Sequence, residues 1–158
     1  MKRYFFHLLG GLALGAALSP AIAVAGTVAK NAIEVYRDPS CKCCGGWMAY
    51  LREHGYKVAV HEDQSMATVK TRLGVPAADA SCHTALIGGY VIEGHVPVED
   101  IQRLLAEHPD ARGLAAPGMP MGSPGMPGMA MGSPQSYAVV LIGKDGSSRV
   151  FATHVPKA

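Results

Sequence analysis

The chain has 158 residues, of which 49% are apolar and 16% charged, so its length predicts one domain with additional segments. Two of the 14 basic residues lie in the first 25 positions; removing that segment leaves 12 basic and 12 acidic residues (14 − 2 = 12) and a formal charge of zero. This balance excludes the basic surface expected of a nucleic-acid-binding protein.

The first 25 residues have the composition of a secretory signal peptide. Two basic residues precede an apolar run from Phe5 to Leu18, and Ala21, Ala23 and Ala25 supply the small side chains of a cleavage site. A retained membrane anchor is the alternative, but the run is shorter than the roughly 20 residues of a membrane span. We therefore expect export to the periplasm and no membrane span after cleavage.

A strand, a helix and a second strand are predicted next. Residues 31–37 alternate between apolar and polar side chains and end at Asp38-Pro39. Ser40 is the predicted N-cap of a helix that ends at His54-Gly55, and residues 56–61 alternate again. Such a unit normally produces two parallel strands.

The following residues complete an α/β pattern. Ser65 is the predicted cap of a second helix, Gly88-Gly89 is a hairpin turn between strands at 84–87 and 90–96, and a third helix begins after Pro97. This order predicts a thioredoxin-like domain over residues 31–110, with a central mixed sheet and flanking helices.

A methionine-rich segment then interrupts the pattern. Glycine, proline and serine separate five methionines within residues 115–134: Met119, Met121, Met126, Met129 and Met131. With neither charge nor apolar periodicity, this composition predicts a flexible insertion. Residues 136–155 then predict a C-terminal hairpin that completes the domain.

Three of the four cysteines lie at the turn between the first strand and the first helix. Cys41, Cys43 and Cys44 fall within four residues, whereas Cys82 lies far along the chain, before another strand. A helix N-terminus lowers thiol pKa values, and Lys42 adds to this effect at Cys43 and Cys44. We expect the fold to bring Cys82 to the triplet.

Three uses of these cysteines compete. In an exported protein they can form two structural disulfides, but bridges within the triplet close very small loops and remove little unfolded-state entropy. Cys41 and Cys44 also have the C-x-x-C spacing of a redox dithiol, although Cys43 is then a third thiol that diverts the exchange.

Binding of a soft metal ion is the third use and the one favoured here. Zinc prefers well-separated tetrahedral donors, whereas thiolates and thioethers select Cu(I) and tolerate short spacings. Ag(I) satisfies the same argument. Adding Cys82 to the triplet gives four sulfur donors.

The motifs carry a family resemblance. The runs Asp38-Pro39-Ser40-Cys41-Lys42-Cys43-Cys44-Gly45-Gly46-Trp47, Ser81-Cys82-His83-Thr84-Ala85 and Gly89-Tyr90-Val91-Ile92-Glu93-Gly94-His95-Val96-Pro97 resemble the CopG family of periplasmic copper-resistance proteins. The resemblance spans roughly residues 32–107. It implies a thioredoxin-like fold whose four cysteines bind a cluster of copper ions, with a role in copper redox handling.

Several neighbouring side chains are candidate auxiliary ligands. His83 adjoins Cys82, but adjacent side chains on a strand point to opposite faces. Met48 lies one helical turn beyond Cys44 and fits the core better than the metal. The five methionines of residues 115–134 are soft donors that can capture Cu(I), and His95 is expected to support the turn before the third helix.

The sequence thus predicts an exported protein without catalytic residues that holds Cu(I), as a multi-copper thiolate cluster, through Cys41, Cys43, Cys44 and Cys82. The expected partners are copper ions and other periplasmic copper-handling proteins. A thiol-disulfide or copper oxidoreductase is the alternative, and a metallochaperone that docks with a transporter or an oxidase is the third.

Overall fold

A computed structural model describes residues 31–126, 133 and 135–155, which form one seven-stranded mixed sheet with three helices. The helices are α1 (Lys42–Glu53), α2 (Met66–Leu73) and α3 (Val98–Glu107). The strands are β1 (Ala32–Arg37), β2 (Lys57–His61), β3 (His83–Ile87), β4 (Tyr90–Glu93), β5 (Gly113–Ala115), β6 (Tyr137–Ile142) and β7 (Ser148–His154). The predicted signal peptide lies outside the described residues.

The first four strands have thioredoxin-like topology, which confirms the predicted fold class. Their order is β2-β1-β3-β4, with β1 parallel to β2 and antiparallel to β3. β3 and β4 form the predicted hairpin, whose turn is possible because Gly88 and Gly89 adopt φ angles of 56° and 86°. The two helices that follow β1 and β2 connect the strands.

The core lies between the sheet and the helices. Trp47 and Leu51 of α1 and Ile101 and Leu104 of α3 are fully buried against central strand residues such as Val35. The Trp47 indole N–H donates to the backbone oxygen of Val96 at 2.9 Å, so the one tryptophan satisfies its polar group while it fills the core.

The start of the predicted flexible insertion is folded. Residues 113–115 form β5, which pairs in parallel with β4 and antiparallel with β6 and so joins the C-terminal hairpin to the sheet. Ala115 and Ala116 are fully buried and Ser123 is buried. Gly46 of α1 lies so close to Gly125 that a Cβ on either glycine would collide with the other backbone. Small residues that carry no apolar period thus pack here by close backbone approach.

Within residues 31–126 and 135–155, every helix is too short or too polar to cross a bilayer.

Candidate metal centre

The cysteine turn is formed by a short polar loop that leads into α1. The backbone N–H and the hydroxyl of Ser40 donate to Oδ1 of Asp38 at 2.8 and 2.5 Å. These hydrogen bonds lower the pKa of the exposed Asp38 carboxyl. The N-cap position belongs to Cys41 rather than to the predicted Ser40, because the Ser40 side chain closes the turn before the helix begins.

The triplet contains a disulfide between Cys41 and Cys44. Cys43 and Cys82 are thiols, and the Cys43 sulfur lies 3.6 Å from the Cys41 sulfur. The C-x-x-C pair is therefore oxidised, and Cys44 has no thiol whose pKa the helix N-terminus could lower. Reduction of this one bond would present three cysteine thiols at the turn.

The structure brings Cys82 to the triplet, as predicted from the sequence. Its sulfur lies 3.9 Å from the sulfur of Cys43, and the four cysteine sulfurs all lie within 4.8 Å of one another. Cys44 is fully buried, and the other three are half-buried. The cluster is therefore partly accessible to solvent.

Cys82 is held in place by a buried carboxylate. Glu93 of β4 is fully buried, and it accepts hydrogen bonds at 2.6 Å from the backbone N–H of Ser81 and from the hydroxyl of Thr84. Lys70 of α2 forms an ion pair with the same carboxylate. Glu93 thus contacts the chain on both sides of Cys82, and it fixes where β3 begins.

Two buried histidines also lie close to the sulfur of Cys82. Its sulfur is 3.2 Å from Nδ1 of His83 and 3.5 Å from Nε2 of His95. The sequence predicted that His95 supports the turn before α3; the loop after β4 also brings its ring close to Cys82. His95 belongs to the third family motif, residues 89–97, and no local pattern connects that motif to Cys82.

Burial controls the protonation of these groups. It raises the pKa of Cys82 to about 11, with a further contribution from the neighbouring Cys43, so the metal-free Cys82 is a neutral thiol at physiological pH. Burial also lowers the pKa of His83 and of His95. Both imidazoles are therefore neutral at physiological pH, which is the form that binds metal ions.

The predicted methionine ligands fall into different places. The Met119 sulfur lies 3.9 Å from the Cys43 sulfur, and this side chain is 54% exposed. Met48 belongs to the hydrophobic core, Met126 is buried and Met121 is half-buried. Met129 and Met131 lie outside the described residues. Among the methionines of the described residues, Met119 thus lies directly beside Cys43.

Comparison with known proteins gives the same family as the motifs. Residues 79–126 match a family model described as "Protein of unknown function, DUF411". A solved structure titled copper resistance protein CopG, form 1, is 44% identical, with a TM-score of 0.73, and the match covers 82% of this chain and 100% of that one. The chain belongs to the CopG family.

A second solved structure, CopG form 2, is also 44% identical, with a TM-score of 0.72, and the match covers 78% of this chain and 98% of the other. A comparison with curated proteins gives no significant match. The CopG family relationship therefore extends over almost the whole length of both solved chains.

Proposed function

We propose that this CopG-family chain is an exported protein of copper resistance that holds Cu(I), as a multi-copper thiolate cluster, through Cys41, Cys43, Cys44 and Cys82. The observation that carries the proposal is the convergence of four sulfur atoms within 4.8 Å of one another. Thiolates are soft donors that select Cu(I), and at such distances a sulfur can bridge two copper ions. The names of the two solved relatives support the same metal.

The oxidation state of the triplet sets the binding capacity. With Cys41 and Cys44 joined, two thiols are present at the site. Two electrons and two protons convert the disulfide into two further thiols, and Cu(I) then displaces thiol protons as it binds. Cu(I) uptake should therefore require prior reduction and should release protons.

Anaerobic titration tests the proposal. The reduced protein is titrated with Cu(I) in competition with a coloured Cu(I) chelator, and bound copper is counted after gel filtration. We expect more than one copper per chain, with at least a tenfold loss of Cu(I) affinity in Cys82→Ser, since this change removes one of the four converging sulfur donors. Unchanged copper content and affinity in Cys82→Ser would overturn the four-sulfur site.

A copper or thiol-disulfide oxidoreductase is the second candidate, and the Cys41–Cys44 disulfide is the observation that favours it. In the copper reaction, two Cu(I) ions each give one electron to the disulfide, which takes up two protons and becomes two thiols, and two Cu(II) ions result. The reverse reaction forms the bond again.

Single-turnover measurements separate the two candidates. The disulfide form is mixed with two equivalents of Cu(I), and Cu(II) appearance and new thiols are followed together. An oxidoreductase yields two thiols for two Cu(II) ions and loses this reaction in Cys44→Ser. With a pure binding protein the copper stays Cu(I), bound or free, and no new thiols appear.

Export is proposed from the first 25 residues alone. Expression of the full chain followed by cell fractionation and N-terminal sequencing of the mature protein checks it. A periplasmic protein that begins after Ala23 or Ala25 is the expected result. A full-length protein in the membrane fraction would favour the retained anchor.

A further inference from the structure

A cavity of about 350 Å³ lies where the C-terminal part of α1, the start of α3 and the open end of the β6–β7 hairpin meet. It shares no described residue with the cysteine cluster. Tyr50, Glu99, Tyr137 and His154 line it with two phenol rings, a carboxylate and an imidazole. The volume falls within the range of small-ligand sites in proteins, so the chemistry of these side chains decides which ligand fits.

Both tyrosine rings are held in place by the fold. The Tyr50 hydroxyl accepts a hydrogen bond from the backbone N–H of Val98 at 3.0 Å. The Tyr137 ring stacks on the ring of His154, with centroids 5.1 Å apart and 21° between the planes. Nε2 of His154 in turn lies 2.6 Å from Oδ2 of the buried Asp100. Because these walls are ordered before a ligand arrives, binding costs little side-chain entropy.

The cavity has a negative electrostatic potential. Among the described residues that line it, none is a lysine or an arginine, and no described cation forms an ion pair with the exposed Glu99. Burial raises the pKa of Tyr137, and the negative charges of Glu99 and Asp100 raise it further. The potential that opposes a phenolate here also favours a positively charged ligand.

Two rings beside a carboxylate suit a planar cation. A guanidinium group is attracted to the face of an aromatic ring and stacks flat on it. Its parallel N–H groups also donate to both oxygens of one carboxylate. The Tyr50 hydroxyl lies 3.4 Å from Oε2 of Glu99, so a ring and a carboxylate are neighbours in this cavity. An ammonium group donates hydrogen bonds but does not stack, and it would use only part of the site.

We propose that Tyr50, Glu99 and Tyr137 form a binding site for a guanidinium group. The start of α3 alone accounts for a carboxylate, since a helix N-terminus favours negative charge, but it does not account for two ordered rings in the same cavity. The site goes beyond copper binding and does not depend on it. A small free guanidino compound and an arginine side chain of a partner protein share this chemistry.

Nuclear magnetic resonance titration of the full mature chain, free of metal, tests the site. The two probes are ethylguanidinium and N-ethylurea, which is also planar but carries no charge. We expect ethylguanidinium to shift the ring signals of Tyr50 and Tyr137 with a dissociation constant on the order of 1 mM. N-ethylurea should bind about tenfold more weakly, because it lacks the charge that the cavity favours. Equal binding of the two probes would overturn the proposal.

Substitutions at the cavity check the assigned roles. Glu99→Gln should weaken ethylguanidinium binding about fivefold, since it removes the charged acceptor. Glu107→Gln is the matched control, because Glu107 is also exposed but lies roughly 12 Å further along α3. Tyr137→Leu should weaken binding about threefold, whereas Tyr137→Phe keeps the ring and should bind normally. Glu99 is exposed, so its substitution leaves the fold intact, and an unchanged affinity in Glu99→Gln would contradict the site.

Further probes identify the source of the guanidinium group. A glycine-arginine-glycine tripeptide with blocked ends should bind about tenfold more tightly than ethylguanidinium if a partner's arginine is the natural ligand, and no gain would identify a small guanidino compound. Lys157, outside the described residues, is the one basic residue after β7. Lys157→Gln should leave probe affinity unchanged; a gain of about tenfold would overturn the proposal, because the chain's own tail would then be the ligand.

Discussion

The metal centre has two walls that are held in place by different interactions. The Cys82 wall is formed by residues 81–84, and the cysteine turn is formed by residues 38–44. Cys82 directly precedes the central strand β3, and the fully buried Glu93 anchors the residues on both sides of it through Ser81 and Thr84. The cysteine turn instead depends on hydrogen bonds between Asp38 and Ser40, both exposed to solvent. Hydrogen bonds and ion pairs are stronger and less screened when buried. We therefore expect the Cys82 wall to be the more rigid of the two and the cysteine turn to be the more mobile.

Loss of the Glu93 charge should have the largest effect. In Glu93→Gln, the Lys70 ammonium keeps a mostly buried position without its counter-ion. Removing one partner of a buried pair usually costs 3–5 kcal/mol; we expect about 3 kcal/mol, because Lys70 remains 16% exposed and can turn toward water. Urea unfolding measures this change, and Cu(I) titration of the reduced variant should show weaker binding as Cys82 loses its support.

Glu53→Gln is the control for Glu93→Gln, since Glu53 is exposed at the end of α1. The same chemical change there should alter the free energy of unfolding by less than about 0.5 kcal/mol. Equal effects of the two substitutions would mean that Glu93 does not fix the Cys82 wall.

The contact between α1 and the segment after β5 provides a second test of whether the two sides of the metal centre respond independently. A methyl group in Gly46→Ala would collide with the backbone oxygen of Gly125, so the segment that carries Met119 must shift. We expect a loss of about 1–3 kcal/mol in unfolding free energy. The nuclear magnetic resonance signals of the Met119 methyl group should move, while those of Glu93 and Thr84 stay in place.

Gly45→Ala provides the matched control, one residue earlier in the same helix. Among the described atoms, nothing lies within 4 Å of a Cβ placed at Gly45. Alanine should then stabilise the helix by about 0.5–1 kcal/mol. Opposite signs for the two adjacent substitutions would show that the close contact with Gly125, not helix propensity, determines the result.

The exposed side of the cluster can be changed without loss of stability. Met119→Leu keeps the volume of a 54% exposed side chain but removes the sulfur that lies 3.9 Å from Cys43. We expect slower Cu(I) uptake by the reduced protein and a smaller loss of affinity than in Cys82→Ser, with an unchanged unfolding curve. Met66→Leu on α2 is the control, and identical uptake rates in the two variants would exclude Met119 as an entry ligand.

The sequence was informative where structure is local. The cysteine turn, the parallel β1–β2 pair and the β3–β4 hairpin each depend on neighbouring residues, and the structure contains them. β5 was missed, because three residues beside a run of glycine and proline give no periodic signal. His95 and Glu93 were missed as parts of the site for another reason: their contacts with Cys82 and Ser81 arise only after the sheet has formed.

The smallest effect is expected at Asp38, which lies exposed in the cysteine turn. The hydrogen bonds from Ser40 lower the pKa of this carboxyl below its ordinary value of 3.8. A lowered pKa means that the stabilisation is fully present above 3.8 and is lost only as the pH falls through the lower, folded-state value. The Ser40 amide signal should therefore stay constant from neutral pH to about pH 4 and shift below it.

Asp38→Asn keeps the acceptor oxygen but abolishes this titration. It should leave the unfolding midpoint nearly unchanged at neutral pH, with Cu(I) affinity like that of wild type. A loss of affinity as large as that of Glu93→Gln would show that the exposed turn is as rigid as the Cys82 wall and would remove the expected contrast between the two.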